Sequence, residues 1–276
     1  MTALSNDLYF TFLSLRFEFG NHLKRKRILV VVAFAIIIPV LLMYVFPVHI
    51  PDDDIGKLIA EMNAPIQRAI NSLDFSCFLM IYLTALLFAS GSISDEFEKK
   101  TGLLLYPTPQ RRVSIFAGKY LAALAAVLLV VSMIYIVVTA QVIGLYGMGS
   151  IPVALGKSYL AAAFYSCSVV SIIYFFSSIF KKALVSAFTG LFLLFLVLPG
   201  LQILMDTLEL DKENWFLLSS HVNLITAVLN ESRVYPEGLF HSTVQASFGT
   251  GLAVMIAYAI IFFVAGTWIA NRKDMI

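Results

Sequence analysis

Six long apolar runs, none holding an internal acidic or basic side chain, alternate with short polar stretches along the chain. They lie near residues 28–46, 75–94, 120–144, 159–180, 183–204 and 248–270. Each is close to the roughly 20 residues a helix needs to cross a hydrocarbon core about 30 Å thick. The pattern predicts an all-α, polytopic membrane fold with six transmembrane helices.

A different pattern precedes the first run. Leu4, Leu8, Phe12, Leu15, Phe19 and Leu23 recur at steps of four and three, the spacing that lines one face of a helix. Asp7, Ser14, Arg16 and Glu18 fall elsewhere, and the basic run from Lys24 to Arg27 follows. Residues 1–27 are expected to form an amphipathic helix lying in the plane of the membrane interface and meeting a partner. No small-residue cleavage pattern follows the first apolar run, which is expected to remain as an anchor.

Composition excludes a water-soluble globule. Hydrophobic residues make up 60% of the 276, charged residues 13%, and mean hydropathy is +0.89; soluble domains carry roughly 25% charged residues. Charge also sets the expected orientation, because Lys and Arg flanks stay cytoplasmic. Six spans put both termini on one side. That side holds 14 of the 19 Lys and Arg residues but only 6 of the 17 Asp and Glu residues. Both termini are therefore expected in the cytoplasm of a cell whose cytoplasmic membrane holds the chain.

The segments facing the other side carry little chemistry. Asp52, Asp53 and Asp54 in the loop of residues 47–74 read as a solvated acidic turn, since a calcium loop places its carboxylates at alternate positions. The loop of residues 205–247 contains an apolar run, Trp215 to Leu229, too short to span and broken by Ser219, Ser220, His221 and Asn223. A re-entrant or interfacial element is expected there. Asn230, Glu231 and Ser232 form a permissive glycosylation sequon.

Candidate catalytic groups are missing. Cys77 and Cys167 fall inside two different spans, and His22, His49, His221 and His241 are scattered, so neither a disulfide framework nor a metal site is expected. Gly156, Lys157 and Ser158 resemble the end of a phosphate-binding loop, but Ile151 stands where that loop needs its first glycine. Proton-coupled carriers keep ionisable groups inside their spans, and this chain keeps none. Their absence speaks against a secondary transporter, and the energy for any transport is expected from elsewhere.

The segment SISDEFEKKTGLLLYPTPQRRVSIFAGKYLAAL, between the second and third spans, resembles the type-2 ATP-binding-cassette (ABC-2) permeases. In that family acidic residues leave span two, a Thr and Leu-rich turn follows, then Pro with Arg, and a Gly-Lys pair enters span three. Glu96, Glu98, Thr101, Leu104, Leu105, Pro109, Arg111, Arg112, Gly118 and Lys119 match it. The family usually has Gly before the Thr; here Lys100 holds that position and Gly102 follows. The six spans, the N-terminal amphipathic helix and the outer apolar segment agree with the same family.

The resemblance implies a single transmembrane domain over residues 1–276, the membrane subunit of an ATP-driven exporter. Its expected partners are a separate ATPase subunit, a second permease subunit, identical or related, and membrane lipid; neither nucleic acid nor a cofactor is expected. Residues 95–119 are the expected cytoplasmic coupling loop. Leu103, Leu104, Leu105 and Tyr106 would offer the ATPase an apolar knob, flanked by the charges of Glu96, Glu98, Arg111 and Arg112. Spans two and five would line the path at the dimer interface, with Ser76, Tyr82, Thr84, Ser90, Ser92, Ser186 and Thr189 as polar lining. Those hydroxyls serve equally well as interhelical hydrogen-bonding groups. A non-transporting anchor or sensor on the same scaffold is the alternative.

Overall fold

A computed structural model describes residues 3–24, 26–45, 54–98, 111–147, 154–207, 216–230 and 248–272. Among them there is no strand. Six helices are long and apolar enough to cross a membrane, making the chain a multi-pass membrane protein. Helix α1 (Ala3–Lys24) precedes α2 (Lys26–Val45), the first span. Next come α3 (Asp54–Ala89), the short α4 (Gly91–Glu98) and α5 (Arg112–Tyr146). Helix α6 (Leu155–Ile179) follows, and the fifth span is built from α7 (Ala183–Phe192), a π-helical turn (Leu193–Val197) and α8 (Leu198–Thr207). Short helical turns, including α9 (Leu224–Ala227), lead to the last span, α10 (Phe248–Arg272).

Two helices outrun the sequence expectation. Helix α3 starts at Asp54, where a loop up to residue 74 is expected. Ala69, Leu73, Cys77, Met80 and Ile81 are all buried at helical spacing, so one apolar stripe runs unbroken past the polar residues between them. Helix α5 likewise starts at Arg112, inside the expected loop of residues 95–119, and residues 91–98 of that region form α4.

The π turn in span five has a local cause. Pro199 brings no N–H to the helix ladder, and its ring crowds the carbonyl four residues before it. The backbone widens just upstream, where the Leu198 N–H donates to the Leu193 carbonyl five residues back.

Helix α6 is the centre of the bundle, packing on α3, α5, α7 and most extensively α10. Lipid chains are as apolar as leucine, so close packing and interhelical hydrogen bonds hold such a bundle together. Tyr135 pairs with Ser158 at 2.7 Å, Tyr120 with Ser171 at 3.0 Å and Ser132 with Tyr159 at 2.9 Å, all between α5 and α6. Tyr82 of α3 pairs with Tyr165 of α6, and the Ser168 hydroxyl donates to the Met255 carbonyl of α10 at 2.7 Å. Gly266 lets α10 lie against α6: a Cβ there would sit 3.2 Å from the Phe175 Cα.

Residues 218–230 take up the apolar run that the sequence reads as re-entrant or interfacial. Leu218, Ile225 and His221 are buried, and Ser158 of α6 donates its hydroxyl to the Ile225 carbonyl. Trp215, Asp52, Asp53 and the last two residues of the sequon lie outside the described residues.

Candidate functional site

The chemistry gathers at the end of the bundle where α1, α4 and the start of α5 meet. Helix α3 stops at Ser90, whose hydroxyl donates to the Leu86 carbonyl, and α4 begins at Gly91. A new helix start leaves N–H groups without partners. Ser177 of α6 supplies one: its hydroxyl oxygen accepts the Ile93 N–H at 3.0 Å and the Ser94 N–H at 3.1 Å. A hydroxyl on a neighbouring helix thus caps α4 and fixes it against α6.

That placement turns Glu96 inward, where only 2% of it is exposed. The Lys119 ammonium lies 2.9 Å from its carboxylate and 3.0 Å from that of Glu18 on α1. One cation therefore joins α1, α4 and α5. Isolated, each of these charges would be expensive to bury; the one cation offsets both carboxylates in part, and stripping it away would cost about 3–5 kcal/mol.

Helix α1 meets α5 through its polar side, with the Glu18–Lys119 pair at one end of the contact and the Asp7–Arg111 pair, 3.0 Å apart, at the other. Between them α1 passes over Gly118, where a Cβ would lie 2.5 Å from the Ser14 Cβ and 2.9 Å from the Thr11 carbonyl oxygen. Leu8, Tyr9, Phe12 and Phe17 are each more than 60% exposed. The expected stripe splits: Leu8 and Phe12 face outward, while Leu15 and Phe19 are half-buried, Phe19 packing on the core, and Asp7, Thr11, Ser14 and Glu18 are half-buried as well. Asp7, Thr11, Ser14 and Glu18 also fall at steps of four and three, and that polar stripe is the sequence signal that marks the contact.

The expected coupling residues divide. Thr101, Leu103, Leu104, Leu105, Tyr106 and Pro109 lie outside the described residues. The residues at the two ends of that segment are anchored. Glu98 accepts the Ala183 N–H at 3.3 Å, at the first turn of α7, where a carboxylate also complements the helix dipole. Arg111 pairs with Asp7 of α1. Arg112 opens α5 and is exposed.

A family model described as ABC-2 family transporter protein matches residues 13–275. The chain belongs to the ABC-2 transporter family. No curated protein matches it. As an ABC-2 chain it is a permease component of an ABC transporter, a membrane component rather than the catalytic one, and membership implies an ATPase partner.

The expected path residues of this ABC-2 permease do not converge on one surface. Ser76 and Thr84 are buried and donate back to the carbonyls of Ser72 and Met80 in their own helix. Ser92 does the same to Phe88 at 3.1 Å, and Ser90 to Leu86. Ser186 is buried, whereas Thr189 lies in a shallow groove on span five with Phe188, Phe192 and Phe195. Tyr82 and its neighbour Phe78 on span two both pack on Phe195 of span five, the ring centres 4.8 and 5.2 Å apart. The π turn brings Phe195 to that position, a feature that hydropathy does not register.

Proposed function

We propose that this chain is the membrane-spanning subunit of an ATP-driven exporter in the cytoplasmic membrane, both termini cytoplasmic, acting as a dimer of permease subunits above two ATPase subunits. The family match over residues 13–275 carries this reading. The anchoring of the segment between Glu98 and Arg111 supports it. A push on that segment by a closing ATPase would pull on α7 through Glu98 and Ala183, and on α1 through Arg111 and Asp7. Lys119 ties α1 and α4 to α5, so the motion would pass into spans two and three as one body. Leu103, Leu104, Leu105 and Tyr106 are the proposed apolar contact with the ATPase.

Thr189 and the phenylalanines around it, Phe188, Phe192 and Phe195, are proposed to face the cargo where spans two and five meet the second subunit, with the buried Tyr82 backing Phe195 from inside the bundle. Such a surface, apolar with a few hydroxyls, suits an amphipathic or lipid-like cargo.

Purified alone, the chain is expected to hydrolyse no ATP; co-expressed with an ABC ATPase subunit it should form a complex that does. Steady hydrolysis by the isolated, contaminant-free chain would overturn the assignment. A complex that assembles and hydrolyses ATP yet moves no amphipathic dye in inside-out vesicles would favour a sensor or anchor instead.

A further inference from the structure

One hydrogen-bonding group inside the bundle is left over. Tyr82 of α3 and Tyr165 of α6 pair phenol to phenol, and among the described residues neither oxygen meets another polar side chain. Each phenol brings one proton. One of the two makes the bond between the oxygens, and the other has no acceptor. Both side chains are buried, Tyr165 at 0% and Tyr82 at 4% exposure, and a buried donor without a partner costs free energy. A water would be a poor remedy, because it needs about two to four polar neighbours. Beyond Tyr165, the ring of Tyr82 meets the rings of Phe78 and Phe195, each 4.8 Å away.

Phe195 also belongs to the groove on span five. With Phe188, Thr189, Leu191, Phe192 and Leu196 it lines about 550 Å³, and none of these side chains is ionisable. Phe195 is 36% exposed on that side while its ring packs on Tyr82, so this one aromatic side chain stands between the groove and the phenol pair. A helical Phe has two favoured χ1 settings. Turning from one to the other would open the groove toward Tyr82.

We propose that the Tyr82 hydroxyl is the polar end of this groove and that the cargo is an uncharged amphiphile whose head is an acceptor oxygen, a long-chain alcohol being the simplest case. Tyr165, the more deeply buried of the two, donates to Tyr82 and holds it, and the free Tyr82 proton goes to the cargo oxygen. A carboxylate, phosphate or ammonium head would lose its water and find no opposite charge in the groove. A pure hydrocarbon would leave the phenol proton unmet. The proposal rests on the groove being the cargo path and adds what the polar end of the cargo must be.

The test uses the full chain in lipid nanodiscs and three probes of equal chain length, each with a photoactivated diazirine near the head and ending in a hydroxyl, a methyl or a trimethylammonium group. Labelling of residues 188–196 is read by mass spectrometry and normalised to the lipid-facing stretch around Ile260 and Ile261. The alcohol should label the groove roughly fivefold or more above the other two, the worth of one hydrogen bond to an otherwise unmet donor. Tyr82→Phe should abolish that preference. Tyr165→Phe should keep it, because Tyr82 retains its proton, whereas a pair that only joins α3 to α6 would respond alike to both changes. The methyl probe should label all three proteins equally, as an intact groove requires. Equal labelling by the alcohol and methyl probes in the starting protein, or the same response from the two variants, would overturn the site. Transport is read separately in the complex with the ATPase subunit. A standing alcohol preference without transport would remove the exporter reading and leave the site; transport of the alcohol with labelling outside the groove would do the reverse.

Discussion

Gly118 of α5 and Ser14 of α1 stand so close that a Cβ on the glycine would lie 2.5 Å from that of the serine. Small residues at helix contacts let backbones approach, and here the approach brings the Glu18 carboxylate within 3.0 Å of Lys119, the residue after the glycine. Gly118→Val is expected to lift α1 away from α5 and to cost about 1–3 kcal/mol by overpacking. Loss of protease resistance in the N-terminal 24 residues, with the spans still inserted, would be the readout. A variant as resistant as the parent would mean that α1 is held elsewhere.

Lys119→Met should destabilise the protein by about 3–5 kcal/mol, because it leaves the buried Glu96 carboxylate beside Glu18 with no cation between them. Adding Glu96→Gln to that variant should recover part of the loss, since the most deeply buried charge is then gone. Unfolding in a denaturing detergent titration measures both. By contrast Arg111→Met removes a pair that is 70% exposed on the Arg side, and the expected change is below about 1 kcal/mol.

Replacing Leu104 and Leu105 together with Asp should leave insertion intact and weaken retention of the ATPase subunit. Two leucines buried at a protein contact contribute roughly 2–4 kcal/mol, and two carboxylates would have to be desolvated as well. Leu128→Ala with Leu129→Ala, inside α5, is the control and should spare the partner. Co-purification at matched expression reads the result; equal recovery from all three proteins would confine residues 99–110 to a topological role.

Single cysteines at positions 57 and 212 should react with an impermeant thiol reagent applied to intact cells, and cysteines at positions 100 and 182 should not. The expectation rests on the excess of Lys and Arg on the terminus side. Labelling at position 100 from outside would invert the assignment and with it the placement of the ATPase.

How far the sequence reached differs from element to element. The runs near residues 159–180 and 183–204 became α6 and the fifth span with bounds close to those read from hydropathy, because a span is a local property: enough apolar length without charge. The start of α3 was missed because charged and polar residues outside the hydrocarbon layer break a hydropathy run without breaking a helix. Glu96 and Arg111 stood out through family likeness, whereas Glu18 and Lys119 were legible only as members of a polar stripe and of a Gly-Lys pair.

By itself the sequence determined the all-helical membrane class, the number of spans, the amphipathic helix before them and the family, since each depends on composition or on residues near one another in the chain. Only the tertiary structure decided which side of α1 meets α5, which carboxylates share Lys119, and that Ser177 caps α4. Those depend on how helices cross. Glu18 and Glu96 stand 78 positions apart in the chain, and no periodicity within either helix records that one ammonium lies between them.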